Sequence, residues 1–386
     1  MNENPLRRLE SLGQSIWLDY LGRDLLSTGR LRRYIDEDGL AGMTSNPSIF
    51  EEAILGGHLY DDDIRALARE GKIVEEIYDT LTQKDVRDAA DGFRPLYDKT
   101  DGKDGYVSLE VNPHLAGDTK GTIDEARRLW VAVKRPNIFI KVPATREGLP
   151  AIEQLTSEGI NVNVTLLFGL SRYRRVAEAY IAGLEARAAR GLPIGRVASV
   201  ASFFLSRIDT LVDSLLDPVI AAGVPQGERA RRVRGETAVA SAKVAYQMYL
   251  EIFGGERFGK LYRGGARVQR LLWASTSTKN PEYSDVKYVE PLVGPDTVNT
   301  LPIKTLEAYR DHGSPELTIE RDVDAAHRAL EELQRIGIGV DDVTRRLEEE
   351  GVDKFNRAYD KLIGSLGAQT AASPGTQPPA QSRTSR

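Results

Sequence analysis

Eight short segments of apolar or alternating residues, most of them followed by a stretch with helical periodicity, restrict the fold of this chain more than any other feature. They are SIWLDYL (15–21), LAGMTS (40–45), YVSLEV (106–111), IFIKVP (138–143), NVNVTLLF (161–168), VASVASFF (197–204), VQRLLWAS (268–275) and KYVEPLV (287–293). Between them lie stretches such as IDEARRLWVAVKR, SRYRRVAEAYIAGLEARAARG and ERARRVRGETAVASAKVAYQMYLEIFG. These stretches put apolar residues at three-and-four spacing and charge on the opposite side. A strand followed repeatedly by a helix implies a parallel sheet with helical crossovers. Eight such units predict an α/β fold, a closed (β/α)8 barrel.

The 386 residues can bury a core of that size as one unit. A single barrel domain is expected over 1–366, with a helical insertion at about 46–105 that contains IVEEIYDTLTQKDVRDAADGF. Helices around 322–336 and 341–364 are expected to close the fold. The segment 367–386, rich in Pro, Ser, Thr, Gln and Ala, reads as a disordered tail. The net charge of −5 provides no global attraction to nucleic acid or to an anionic membrane. Cysteine is absent, which excludes disulfides, thiol nucleophiles and thiolate metal sites. The four histidines, His58, His114, His312 and His327, have no metal-ligand spacing, so no metal site is expected. No signal peptide or apolar span is visible, and the expected location is cytoplasmic.

Polar side chains gather at the carboxyl ends of these segments, where barrel enzymes carry their active sites. Asp19, Asn46, Glu110, Lys141, Asn163, Thr165, Ser202 and Ser275 all fall there. Alternation puts Asn161, Asn163 and Thr165 on one face and Val162, Val164 and Leu166 on the other. Singly, each polar residue also reads as a helix cap, a turn residue or a solvated end. Their coincidence across several strands points to one site. Lys141 is the most informative, because it interrupts the apolar run Ile138, Phe139, Ile140, Val142 and Pro143. A free lysine, with a pKa of about 10.4, is neutral in roughly one molecule in 2,500 at pH 7. Burial disfavours the ammonium, nearby carboxylates favour it, and the neutral amine condenses with a ketone to a Schiff base.

At these residues the chain closely resembles the transaldolases. The matching motifs are SIWLDYL (15–21), GMTSNPSIF (42–50), VSLEVNP (107–113), IFIKVPAT (138–145) and EGINVNVTLLF (158–168). VASVASFFLSRID (197–209), WASTSTKNPEYSD (273–285) and VEPLVGPDTVNTLP (289–302) extend the match. The resemblance implies a TIM barrel and a cofactor-free transfer of a dihydroxyacetone unit between sugar phosphates. Sedoheptulose 7-phosphate and glyceraldehyde 3-phosphate would become erythrose 4-phosphate and fructose 6-phosphate, in the non-oxidative pentose phosphate pathway.

In that resemblance Lys141 matches the Schiff-base lysine and Asp19 the acid/base at the C4 hydroxyl. Glu110 and Thr165 match the pair that holds a catalytic water. Asn46 and Asn163 match the amides that hold the enamine hydroxyls, and Thr44 lies in the same binding motif. Ser202 and Arg207 match a substrate- and phosphate-binding pair. One departure stands out. Many members carry an arginine in an Ala-Ser-x-Arg pattern after the seventh strand, where this chain has Ala274-Ser275-Thr276-Ser277 followed by Thr278 and Lys279. Lys279, aided by the Ser275 and Ser277 hydroxyls, is expected to take part of that role. Expected partners are small sugar phosphates, and a homo-oligomer is compatible with the sequence. Two alternatives remain at this level: a Schiff-base aldolase on the same fold, and a non-catalytic sugar-phosphate-binding barrel.

Overall fold

The computed structural model describes residues 4–371. Eight parallel strands close into a barrel in chain order: β1 Gln14–Asp19, β2 Gly42–Thr44, β3 Tyr106–Glu110, β4 Ile138–Pro143, β5 Val162–Leu167, β6 Ser199–Phe204, β7 Gln269–Ala274 and β8 Thr297–Leu301. β8 pairs with β1 to complete the cylinder, with Trp17 opposite Thr300. The expected alternation of strand and helix is therefore the observed architecture.

The eighth strand lies about ten residues later than its expected position. Lys287–Val293 forms turns and the short 3-10 helix Glu290–Leu292. Tyr288, Val289, Leu292 and Val293 are nonetheless buried, which is why the segment reads as a strand. Pro291 has no N–H to give a ladder. The segment TVNTL, with three polar residues out of five, supplies the bonds to both neighbours instead.

Inside the barrel, inward-facing residues form an aromatic plug beneath a polar mouth. The rings of Tyr106 and Phe139 stack with centroids 4.4 Å apart, and Trp17 lies 6.0 Å from Phe139. Trp17 needs its partner across β1 and β2 to be Gly42, because a Cβ there would sit 2.6 Å from the indole. Further along the same faces come Asp19, Thr44, Glu110 and Lys141. Alternation thus converts an aromatic layer into a layer of chemical groups at the carboxyl ends of the strands.

The connection from β2 to β3 carries the helices Pro47–Leu55, Asp61–Arg69 and Val74–Lys99. The first is started by Pro47 and capped by Asn46, whose side chain accepts from the Ile49 N–H at 3.0 Å. The helix Gly148–Glu158 ends at Gly159, whose φ of +89° turns the chain into β5. The final helix, Val340–Ala371, packs back across the barrel against Pro47–Leu55 and Val74–Lys99. Residues 367–371 are therefore helical, in contrast to the expected tail. The rest of that tail, 372–386, lies outside the described residues. Among the described residues, no helix is long and apolar enough to cross a membrane.

Candidate active site

A cavity of about 330 Å³ opens at the carboxyl end of the barrel. Its lining includes Asp19, Thr44, Asn46, Lys141, Thr165, Ser202, Arg207, Ser275 and Lys279. Nine of the eleven residues singled out from sequence therefore meet around one space. The other two stand directly behind the wall. Glu110 contacts Lys141, and Asn163 contacts Ser202.

Lys141 is only 4% exposed. Its Nζ donates to the backbone carbonyl of Ser45 at 2.9 Å and lies 3.0 Å from Oε2 of Glu110. Strand register explains the pair, because Glu110 and Lys141 are direct partners between β3 and β4 and point the same way. The lysine is thus not isolated in an apolar pocket, as its sequence neighbours alone would suggest. It faces a carboxylate across the strand pair, and both side chains are largely buried. Burial pushes the Glu110 carboxyl up, and the positive charge of Lys141 only partly offsets that. A proton exchanged between these two groups changes no net charge.

Asp19 sits at the end of β1 and accepts from the Thr44 hydroxyl at 2.7 Å. Thr44 in turn lies 2.7 Å from the Thr300 hydroxyl on β8. Burial raises the Asp19 carboxyl above its ordinary value; the Thr44 hydrogen bond and the charges of Lys141, Arg207 and Lys279 act in the opposite direction. Asn163 links two strands, donating to Ser108 Oγ at 3.0 Å and accepting from Ser202 Oγ at 2.7 Å. The Thr165 hydroxyl is fully buried and has no hydrogen-bond partner among the described residues. It lines the cavity, where a bound water or substrate hydroxyl would satisfy it. Asn46 spends its side-chain oxygen on the helix cap, which leaves its amide N–H groups for the cavity it lines.

Two residues with positive φ, Leu166 at +53° and Ser275 at +55°, mark the rim. Leu166 lies within a register shift between β5 and β6, and Ser275 directly follows β7. Neither is a glycine, and such strain concentrates at sites that the surrounding structure over-determines. Arg207 follows β6, in the first turn of the helix Ser206–Ala221. Its guanidinium lies over the rings of Phe204 and Phe355, at 5.4 and 5.9 Å. Burial lowers its pKa, although Asp19 and Glu110 oppose this. Lys279 donates to the Ser277 hydroxyl at 2.6 Å, inside the loop that follows β7.

Sequence reasoning missed Ser48, Glu52, Thr300, Lys354 and Phe355, which also line the cavity. Thr300 was hidden by the misplaced eighth strand, because TVNTL has adjacent polar residues at Asn299 and Thr300 and no clear two-residue repeat. Lys354 and Phe355 come from the final helix, about fifty residues after the last strand. No local pattern distinguishes them from the rest of an amphipathic helix.

A parallel eight-stranded barrel with a buried lysine and two carboxylates at its mouth defines a lysine-centred (β/α)8-barrel enzyme. The profile described as Transaldolase/Fructose-6-phosphate aldolase matches residues 16–366, and the chain belongs to that family. It is 50% identical over 370 residues to a protein named Transaldolase from Trichodesmium erythraeum (strain IMS101), covering 95% of this chain and 97% of that protein. It is 51% identical over 364 residues to the Transaldolase of Thiobacillus denitrificans, covering 94% of this chain and 100% of that one. The Transaldolase of Thermobifida fusca (strain YX) is 47% identical over 370 residues, covering 96% and 99%.

Proposed function

We propose that this chain acts as a transaldolase, moving a dihydroxyacetone unit from sedoheptulose 7-phosphate to glyceraldehyde 3-phosphate. The observation that carries this reading is the buried Lys141, on the cavity wall and 3.0 Å from Glu110. Glu110 takes a proton from the ammonium, and the neutral amine adds to the C2 ketone of the donor. Protons relayed through Glu110, and through a water held against Thr165, convert the carbinolamine into a protonated imine with loss of water. That imine is the electron sink that makes the chemistry possible without a metal or organic cofactor.

Asp19 then takes the proton of the C4 hydroxyl. The C3–C4 bond breaks, its electron pair moves into the enamine, and erythrose 4-phosphate leaves as an aldehyde. Asn46, Asn163 and Thr44 hold the enamine's hydroxyls, with Asn163 already oriented by Ser108 and Ser202. Glyceraldehyde 3-phosphate enters, the enamine carbon attacks its aldehyde, and Asp19 returns the proton. Hydrolysis of the imine frees fructose 6-phosphate and Lys141. Arg207 and Lys279 hold the phosphate, and Ser202 and Ser275 bind substrate hydroxyls. This chemistry belongs to the non-oxidative pentose phosphate pathway, and the cytoplasm is the compartment we assign.

The test is borohydride reduction in the presence of fructose 6-phosphate, followed by peptide mass analysis. A three-carbon adduct is expected on Lys141, and none on Lys141→Arg. An adduct elsewhere, or on no residue, overturns the reading. The family description also names fructose-6-phosphate aldolase. Sustained release of free dihydroxyacetone from fructose 6-phosphate without an acceptor would favour that activity.

A further inference from the structure

Three cations line the cavity besides Lys141: Arg207, Lys279 and Lys354. Among the described residues, none of the three has a carboxylate within ion-pair distance, and Glu52, which also lines the space, pairs with none of them. Among the described residues, the Lys279 ammonium has one hydrogen-bond partner, the Ser277 hydroxyl. The guanidinium of Arg207 lies over the faces of Phe204 and Phe355.

Lys354 belongs to the helix Val340–Ala371, one residue before Phe355. That helix is pressed onto the site. Gly351, one turn earlier, lies so close that a Cβ there would stand 2.9 Å from Leu166 and 3.5 Å from Arg207. The close approach brings Lys354 to the mouth. Arg207 acts on both lysines: Lys354 is lowered by burial first, then by Arg207 and Lys279, and Lys279 by burial first, then by Arg207, with Asp19 opposing. Like charges lining one space, with no carboxylate in ion-pair contact among the described residues, carry a cost that an anionic ligand offsets. A phosphate dianion, with three accepting oxygens, is the matching group.

We propose that Lys354 is a third phosphate-binding residue beside Arg207 and Lys279, brought in by the C-terminal helix, and that it makes the site select phosphorylated over unphosphorylated sugars. The proposal rests on the sugar-phosphate reading above. Two ammonium groups together with one guanidinium supply the charge to neutralise the dianion without a second bidentate fork.

Inorganic phosphate, as a competitive inhibitor of the full-length enzyme, is the probe. In Lys354→Gln its Ki is expected to rise roughly five- to tenfold, and the preference for glyceraldehyde 3-phosphate over glyceraldehyde to fall by a similar factor. Lys354→Arg is expected to restore both. A Ki for Lys354→Gln within twofold of the parent, while Arg207→Ala raises it, overturns the role of Lys354 and leaves the phosphate site standing. If phosphate does not inhibit the parent enzyme and borohydride traps no adduct on it, the sugar-phosphate reading fails, and the proposal fails with it.

Discussion

Lys141 and Glu110 occupy paired positions on adjacent parallel strands, and their side chains meet at 3.0 Å on the wall of the barrel mouth. The contact gives the lysine a proton acceptor that moves with it, on rigid elements, in a site with little water. Glu110→Gln keeps the shape and removes the acceptor. Its kcat should fall about 10²- to 10⁴-fold, the usual contribution of a positioned acid/base. Steady-state kinetics with KM nearly unchanged would agree; an unaltered kcat would refute the assignment.

Asp19 should act after the imine has formed. Asp19→Asn is therefore expected to lose about 10²- to 10⁴-fold in turnover while borohydride still traps the donor on Lys141. Because burial raises the Asp19 carboxyl above its ordinary value of 3.8, the acidic limb of kcat should lie above that value. Activity that persists down to pH 4 would contradict a role as base.

Among the described residues Arg207 has no carboxylate in ion-pair contact, and its guanidinium lies over two aromatic rings, so its charge is available to a ligand. Arg207→Ala should raise the KM for sugar phosphates by roughly 10- to 100-fold, as expected for losing charge-assisted hydrogen bonds. Arg207→Lys should recover only part of it, because the planar fork is gone. Initial-rate measurements with phosphorylated substrates settle the point, and an unchanged KM for Arg207→Ala would exclude the role.

Asp209, buried in the helix Ser206–Ala221, accepts from the Ala238 N–H at 2.7 Å and from the Tyr288 hydroxyl at 2.9 Å. Burial raises its pKa from 3.8 to about 6. The folded state therefore holds a proton that the unfolded chain has already lost between about pH 4 and 6. Stability contributed by this group is full below that window and declines as pH rises through it, by an amount on the order of 3 kcal/mol. Asp209→Asn removes the titration. Relative to the parent, it should become more stable as pH rises from 4 to 6 in denaturant melts. A constant difference across that range would show that Asp209 does not titrate there.

The floor of the site depends on Gly42. Adding one methyl in Gly42→Ala drives it into the Trp17 indole, at 2.6 Å. Overpacking of this kind costs about 1–3 kcal/mol, and tilting the indole displaces the layer that carries Asp19 and Thr44. A lowered Tm and altered tryptophan fluorescence are expected. Unchanged values for both would mean the β1–β2 contact yields freely.

A buried lysine alone does not identify a site, as a second one shows. Lys243, in the helix Thr237–Gly254, is also buried, and its ammonium donates to the carbonyls of Thr318 and Arg321. Those two bonds tie its ammonium to the loop that carries Thr318 and Arg321. Lys141 differs because it stands on a strand, among inward-facing polar residues at the same end of its neighbours. That distinction was legible from alternation, since β5 repeats it in Asn163 and Thr165. It was not legible at β8, where an apolar stretch that packs as turns resembles a strand as closely as the true one does.

Local periodicity determined the barrel, the order of its strands and most of its inward-facing groups, because the two-residue repeat of a strand and the 3.6-residue repeat of a helix are properties of neighbouring residues. Only the closed tertiary structure could set the 3.0 Å approach of Glu110 to Lys141, the plug of Trp17 over Gly42, and the arrival of Lys354 from the far end of the chain. Those relations depend on strand register and on a helix returning across more than fifty residues. They concern distances between segments, which no short window of sequence contains.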